Sequence, residues 1–376
     1  MTQTPWRLVV THEAYPAFST STSPAIEKAV VAGEAPSTVI LNVFDADGIT
    51  IGVNEDPTQV LDLAFCREHG IQTMRRVNGG GAVYAGHGSA FLVLVIRPED
   101  APDPASVPTT ATEAFPRILT AMAEVLEARF GIPARYRPLN DVEVEGRKLM
   151  PTSLKIEDGV MTFRLLINVT GIDTELAGAA MPMPPEKVRD KVNKTLQSRF
   201  THLEREIGRP VAESELVALG HDLAAHAFGV TALEPAPLTE TERTYARDFF
   251  ERLSRDEWFF GKTLERRLPD GLQAGDRVGH GRDKAPGGLI WATLVVNGGT
   301  IRHAVLNGDW HPRPLHSTDW FEAELAGIPA TEAALRDHVE GFLARDGVEW
   351  AGVDPEHLMA ALGRALAEAT GQAPDR

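Results

Sequence analysis

The sequence contains a single cysteine, Cys66, among its 376 residues. A disulfide within the chain is therefore impossible, and a zinc site built from cysteines is excluded. Runs of about 18 apolar residues, which would predict a membrane-spanning helix, are also missing. Residues Met1 to Val10 lack the charged-then-apolar pattern of a secretory signal. We therefore expect a protein of the reducing cytoplasm that does not bind membranes.

Basic residues are in deficit, because 37 lysines and arginines face 53 acidic residues, for a formal net charge of −16. This balance argues against nucleic acid as a partner. Neither a Gly-x-x-x-x-Gly-Lys-Ser/Thr loop nor a Gly-x-Gly-x-x-Gly motif after a strand is present. The composition, 43% apolar and 24% charged, is that of a soluble globular protein. The length suits two domains, and we expect a monomer.

A glycine-rich stretch from Arg75 to Tyr84 reads Arg-Arg-Val-Asn-Gly-Gly-Gly-Ala-Val-Tyr. Adjacent glycines allow left-handed backbone conformations and close approach to a ligand, and the N–H groups of such a loop can hold phosphate oxygens. Arginine side chains suit phosphate or carboxylate groups. The pattern alone is equally compatible with a glycine-rich bend beside a salt-bridging arginine pair.

A second motif lies about sixty residues further along, at Asn140-Asp141 and Gly146-Arg147-Lys148. Apolar residues on both sides of a Glu145-Gly146 turn predict a pair of strands. By pattern alone, Lys148 is an exposed strand lysine and Asp141 is a turn residue at a strand start.

The two motifs, in this order, resemble those of the lipoate–protein ligase A family within the biotin/lipoyl protein ligase superfamily. That family carries Arg-Arg-x-Ser/Thr-Gly-Gly-Gly-Ala-Val-Tyr/Phe, and later Asn-Asp followed by Gly-x-Lys. Asn78 departs from the hydroxyl residue of the family. The stretch Trp258 to Lys262 resembles the Trp-x-Phe-Gly-Lys that closes the family's catalytic domain.

The resemblance implies an α+β fold, with a class II synthetase-like catalytic domain over residues 1–262 and a small α+β accessory domain over residues 263–376. Periodicity and turn residues predict helices at Leu61–Glu68, Ala111–Phe130, Pro184–Val192, Glu213–Phe228, Glu240–Leu253 and Pro355–Thr370. A hairpin is predicted at Asn297-Gly298-Gly299.

The resemblance also implies a function. With ATP and Mg²⁺, lipoate or a related acyl acid would be activated to an acyl-adenylate and transferred to a lysine of an acceptor lipoyl-domain protein. Lys148 would be catalytic. The contacts to ATP and the acyl-adenylate would come from Arg76, Asn78, Gly79, Gly80, Gly81, Ala82, Val83, Tyr84, Asn140, Asp141 and Lys148. Asp141 would hold Mg²⁺, and the acyl pocket would include Gly80, Gly81 and Phe163.

Several residues depart from the family pattern. Phe163-Arg164 stands where relatives have Gly-Thr, and strand alternation leads us to expect Phe163 in the acyl pocket and Arg164 facing outward. Glu55 and Asp56 replace the amides of a Gln-Asn-Pro sequence.

Two alternatives follow from these departures and from the superfamily. One is a lipoyl or octanoyl transferase that uses a cysteine or lysine nucleophile without ATP. The other is a non-catalytic acyl- or nucleotide-binding homologue. Cys66 precedes the glycine loop and is expected to be a buried structural thiol, which argues against the cysteine version.

Overall fold

The computed structural model describes residues 5–138, 140–182, 200–269 and 271–371. The helix predicted at Pro184–Val192 lies outside the described residues. Within the described ranges, no helix is both long and apolar enough to cross a bilayer.

An eight-stranded mixed sheet forms the centre of the first two thirds of the chain. Its strands in spatial order are β11 (Leu233–Pro235), β1 (Trp6–Thr11), β2 (Thr38–Val43), β6 (Ser89–Ile96), β10 (Val160–Asn168), β9 (Arg147–Glu157), β8 (Asp141–Val144) and β7 (Arg135–Arg137). Strand β1 is parallel to both of its neighbours, and the remaining pairs are antiparallel.

A smaller sheet carries the glycine loop. Strand β3 (Gly48–Ile51) pairs with β4 (Gln72–Arg75) on one side and with β5 (Val83–Ala85) on the other. The loop therefore connects two strands that share one central neighbour. A short helix, α3 (Pro57–Val60), lies before the helix predicted at Leu61–Glu68. The predicted helix is α4 (Leu63–Glu68), which begins two residues later than predicted because the Asp62 carboxylate accepts from the Phe65 N–H.

The other helices of this part are α1 (Tyr15–Ala17), α2 (Ser23–Val31), α5 (Ala111–Phe130), α6 (Thr174–Ala180), α7 (Leu203–Ile207), α8 (Glu213–Phe228), α9 (Glu240–Leu253), α10 (Asp256–Phe259) and α11 (Leu264–Arg267). Helices α5, α8 and α9 confirm the predicted bounds. Helix α5 begins where the Thr110 hydroxyl accepts from the Glu113 N–H, and it ends at left-handed Gly131.

The large sheet buries both of its faces. One face packs against α5 and α8, and the other packs against α2 and the π-helical turn Phe18–Thr22 that precedes it. Strand β10 shows the alternation of side chains that this burial requires. Phe163, Leu165 and Ile167 face α5, whereas Arg164, Leu166 and Asn168 face the opposite side.

This arrangement corrects the expectation for Phe163 and Arg164. Phe163 is fully buried in the core, with its ring 5.7 Å from that of Phe115 on α5 in an edge-to-face contact. Arg164 does not face solvent, because it is 2% exposed on the other face of the sheet. The alternation was predicted correctly, but its phase was reversed.

The last third of the chain forms an antiparallel sheet with helices. Its strands are β12 (Arg277–Ala285), β13 (Gly288–Asn297) and β14 (Thr300–Gly308), with a short pair β15 (Pro312–Arg313) and β16 (Glu349–Trp350). Its helices are α12 (Ser317–Leu325), α13 (Glu332–Leu343) and α14 (Pro355–Thr370). The predicted hairpin at Asn297-Gly298-Gly299 is confirmed. We refer to residues 271–371 as the C-terminal unit.

The C-terminal unit has a hydrophobic cluster of its own, which runs from Ala285 to Ala369. The clusters of the preceding part contain no residue beyond Phe260. This division supports the boundary that we place after Lys262, and the two domains remain a proposal.

Phe163→Ala should lower the free energy of unfolding by about 3–5 kcal/mol, because a fully buried ring is removed from a packed core. Denaturant unfolding measures this change. The control is Phe250→Ala on α9, where the ring is 40% exposed and the loss should be much smaller. Equal losses for the two variants would contradict the burial of Phe163.

Candidate active site

The glycine loop takes its shape from Arg76. The Arg76 Nη2 group donates to the carbonyl oxygens of Gly79 at 2.8 Å and Gly81 at 2.9 Å, and Nη1 donates to the Thr50 carbonyl at 3.1 Å. Gly80 adopts a φ of +87°, a left-handed conformation that favours glycine. The arginine therefore fixes the turn by binding carbonyl groups on both sides of it.

Arg75, which precedes Arg76, ties the start of the loop to two other segments of the chain. Arg75 donates to the carbonyls of Gly52 and Val53, both at 2.9 Å, and to that of Phe259 at 2.8 Å. Burial lowers the pKa of Arg75 to about 10, although Glu55 and Asp56 nearby act to raise it. The two acidic residues that replace amides thus lie beside a buried cation.

A cavity of about 440 Å³ opens above the loop, between the large sheet and the C-terminal unit. Its lining includes most of the predicted contact residues, namely Arg76, Asn78, Gly80, Gly81, Ala82, Val83, Tyr84, Asn140 and Lys148. The structure thus brings the two sequence motifs together around one cavity. Gly79, Asp141 and Phe163 are outside its lining. Gly79 packs against the C-terminal unit, where an added Cβ would lie 2.6 Å from the Trp310 carbonyl oxygen.

Lys148 lies on β9 with its side chain 29% exposed, and its Nζ is 2.8 Å from Asp141 Oδ1. The Asn140 Nδ2 group donates to the Thr152 carbonyl at 2.8 Å, which ties the start of β8 to β9. The hairpin thus places Lys148 in the cavity lining and pairs it with the Asp141 carboxylate, which lies outside the lining. Among the described residues, no three His, Cys, Asp or Glu side chains cluster to hold a metal ion. Asp141 is therefore not a member of such a three-residue cluster in this part of the chain.

Asn78 is the residue of the loop with the clearest capacity to bind a ligand. Its side chain is 1% exposed and lines the cavity, and within the described part of the chain neither Oδ1 nor Nδ2 has a hydrogen-bond partner. A buried amide without partners costs free energy. A ligand in the cavity would supply both a donor and an acceptor to it.

The C-terminal unit forms one wall of the cavity, and no sequence motif predicts this contribution. The Gly80 N–H donates to the Trp310 carbonyl at 3.1 Å, and His311 and Asp309 line the cavity. Burial, together with the nearby Arg76, lowers the pKa of His311 to about 4. His311 is thus a neutral side chain at pH 7.

A buried ionic group contains Arg164, a residue of the cavity lining. Arg164 Nη2 lies 3.0 Å from Glu27 Oε2, and Lys155 Nζ lies 2.6 Å from Glu27 Oε1. Arg164 lines the cavity, although it was expected on the outside.

Cys66 is 2% exposed on α4 and packs in a hydrophobic cluster with Ile49, Leu61 and Ile71. It is not part of the cavity lining. Burial and the neighbouring Asp62 raise the pKa of the thiol, which disfavours the thiolate. The expectation of a buried structural thiol is confirmed.

Residues 16–219, more than half of the chain, match the profile of the lipoyl protein ligase A/B catalytic domain. The chain therefore belongs to this family, and it is an enzyme of the lipoate ligase and transferase superfamily. It is 26% identical over 279 residues to the octanoyltransferase LipM of Kyrpidia tusciae, a match that covers 68% of this chain and 99% of the relative.

Solved structures share the fold. The LipL1 protein of P. falciparum in complex with lipoate aligns with a TM-score of 0.69 at 15% identity, over 92% of this chain and 95% of that one. Lipoate–protein ligase A bound with ATP aligns with a TM-score of 0.57 at 20% identity, over 69% of this chain and 100% of that one. The predicted α+β, class II synthetase-like fold with a C-terminal domain is confirmed.

Gly80→Ala should destabilise the protein by more than the cost of about 1–2 kcal/mol for an alanine in a left-handed conformation. The added Cβ would lie 2.9 Å from His311 Cε1 and 3.0 Å from Arg76 Nη2, and the Arg76 side chain is buried. Thermal unfolding measures the loss.

Gly70→Ala is the matched control for this substitution. Gly70 has a φ of +66° but no atom within 4 Å of an added Cβ, so its variant reports the conformational cost alone. Equal losses in the two variants would mean that the loop does not press on His311.

His311→Gln should remove a pH-dependent part of the stability. Between pH 6.5 and about 4 the unfolded chain protonates this histidine, whereas the folded chain does not. The free energy of unfolding of the wild type should therefore fall by up to about 3 kcal/mol as the pH is lowered through this window. The variant should lack this fall, and denaturant unfolding at several pH values compares the two.

The control for His311→Gln is His87→Gln, at a histidine whose side chain is 71% exposed. That variant should keep the wild-type pH profile. Parallel profiles of wild type and His311→Gln would contradict a lowered pKa of His311 in the folded chain.

Proposed function

We propose that the protein is an ATP-dependent lipoate–protein ligase that converts lipoate, or a related acyl acid, to an acyl-adenylate and transfers the acyl group to a lysine of an acceptor lipoyl domain. One observation carries this proposal. The cavity unites Lys148 with the glycine loop, while the single cysteine lies outside the lining.

Formation of an acyl-adenylate places negative charge on phosphoryl oxygens as the carboxylate attacks the α-phosphorus of ATP. Fixed cations and oriented donors stabilise such a transition state. Lys148 supplies the cation, and the unpartnered amide of Asn78 supplies a donor at the loop. Arg76 was expected to contact phosphate. Its Nη1 and Nη2 groups already bind carbonyls, which supports an added role in holding the loop open for the nucleotide.

Mg²⁺ is the metal that the family implies. Asp141 is the residue that would hold it, together with phosphate oxygens, since Mg²⁺ commonly takes one or two carboxylates and completes its shell with phosphates and water. The same carboxylate is 2.8 Å from the Lys148 Nζ. Asp141 therefore also positions the lysine.

The transfer step requires that an acceptor amine reach the activated carbonyl carbon. The Lys148 side chain is 29% exposed, so this end of the cavity is open to solvent. We place the approach of the acceptor lysine here. The solution state as a monomer and the cytoplasmic location remain predictions.

An octanoyl transferase without ATP is the second candidate, because LipM of Kyrpidia tusciae is similar over 68% of this chain. A cysteine nucleophile for that reaction would have to be Cys66, which is buried and outside the cavity lining. Only a lysine-based transfer, with Lys148 as the nucleophile, is compatible with the site.

Lys148→Ala should fold and lose about 10²–10³ in the rate of acid-dependent ATP–pyrophosphate exchange, the cost of removing one charge-stabilising group. The assay uses lipoate, octanoate, biotin and shorter acids. Exchange within about twofold of wild type in a well-folded variant would contradict the role of Lys148.

The control variant is Cys66→Ala, which should keep full exchange activity. A parallel assay offers an octanoyl group on a carrier thioester without ATP. Transfer from the carrier, together with no exchange for any acid, would favour the transferase and overturn the ligase proposal.

A further inference from the structure

Arg164 has no part in the adenylation chemistry, yet it is a buried cation in the cavity wall. It is 2% exposed, and its Nη2 group lies 3.0 Å from the Glu27 carboxylate. Within the described residues, Nε and Nη1 are buried without a hydrogen-bond partner. A guanidinium cannot give up its charge, and unsatisfied buried donors are costly. These two N–H groups require an acceptor from elsewhere.

The position of Arg164 puts that acceptor far from the reacting carboxylate. Arg164 pairs with Ser153 on β9, five positions from Lys148 on the same strand. At about 3.3 Å per residue, the two registers are roughly 16 Å apart. Both residues line the same cavity. An acid whose carboxylate meets Lys148 would therefore point its other end toward Arg164.

The wall between these two ends is partly apolar. Leu166 lies two residues from Arg164 on the same face of β10, and Phe91 lies opposite it on β6. Both line the cavity. The lining thus contains Lys148 and Arg164 with apolar side chains between them, and a third cation, Arg76, which lies close enough to add to the effect of burial in lowering the pKa of Arg164.

Neighbouring charges do not complete the hydrogen bonding of Arg164. Burial alone would raise the pKa of Glu27, but Lys155 and Arg164 together hold it below its usual value, so Glu27 is an anion shared by two cations. Glu157 lies 3.4 Å from Lys155 Nζ and also accepts from the Leu315 N–H. These four side chains are neutral as a group, and they leave Nε and Nη1 of Arg164 without an acceptor among the described residues.

We propose that Arg164 recognises a hydrogen-bond acceptor at the far end of the acyl acid, most simply a second carboxylate. The site then selects acids with an apolar middle and a polar far end over plain fatty acids of the same length. This inference rests on the proposed function, since it takes Lys148 as the end where the reacting carboxylate binds.

Octanoate and octanedioate form a matched pair of ligands, because they differ only in the far terminus. Calorimetric titration without nucleotide should show octanedioate binding at least about tenfold more tightly, the factor expected for one charge-assisted hydrogen bond. The monomethyl ester of octanedioate keeps an acceptor and loses the charge, so it should bind with intermediate affinity. Equal or tighter binding of octanoate would overturn the proposal.

Arg164→Met keeps the apolar stem and removes the guanidinium, so it should abolish or reverse the preference for octanedioate. Arg164→Lys keeps the charge without the fork and should retain part of the preference. If Arg164→Met does not unfold cooperatively, the double variant Glu27→Gln/Arg164→Met removes the anion as well and is titrated instead. A preference unchanged in a folded Met variant would also overturn the proposal.

The outcomes separate this inference from the proposed function. An Arg164-dependent preference in titration, with no pyrophosphate exchange for any acid, would retain the recognition of a polar terminus and reject the ligase. Exchange that is equal for octanoate and octanedioate, and insensitive to Arg164→Met, would retain the ligase and reject the recognition.

Discussion

The site depends on two adjacent guanidinium groups that bind backbone carbonyls. Arg75 joins the segment after β3 to α10 through the carbonyls of Gly52 and Phe259, and Arg76 joins β3 to the glycine loop. A planar fork with several donors can hold carbonyls from different segments at once, which a lysine cannot do. The Trp258 indole N–H donates in return to the Arg75 carbonyl at 2.8 Å. The motif at residues 258–262 therefore stabilises the start of the glycine loop through its hydrogen bonds with Arg75.

The sequence allowed the elements and the two motifs to be predicted, because periodicity, turn residues and chain order are local properties. Helices α5, α8 and α14 begin and end where apolar periodicity and turn residues indicated. The phase of β10 could not be predicted. Alternation requires Phe163 and Arg164 to face opposite sides, but only the placement of α5 determines which side is the core. We predicted a surface position for Arg164, as is usual for a charged residue within an apolar strand. Its partner Glu27, which also binds Lys155, is distant in sequence and could not be paired with it in advance.

The C-terminal wall was beyond sequence reasoning for a different reason. The residues between β14 and β15 have the composition of an ordinary connecting loop, and no motif marks Asp309 or His311. They reach the site because the Gly80 N–H pairs with the Trp310 carbonyl and the Gly308 N–H pairs with the Asn54 carbonyl. Buried backbone groups must find such partners. Two loops from separate parts of the chain therefore form hydrogen bonds between their backbone groups, and together they enclose the cavity.

This enclosure bears on the choice between the two activities of the superfamily. An acyl-adenylate is open to hydrolysis, so a ligase gains from a cavity that keeps water from its intermediate. Here the glycine loop is covered by the fully buried Trp310 and packs against the neutral His311, and a loop open to solvent would not need such contacts. A thioester transfer through a cysteine would place its nucleophile in the same cavity, and the single cysteine is in the core beside α4 instead. The covered loop and the position of Cys66 are independent observations, and both favour a protected adenylate over a thioester.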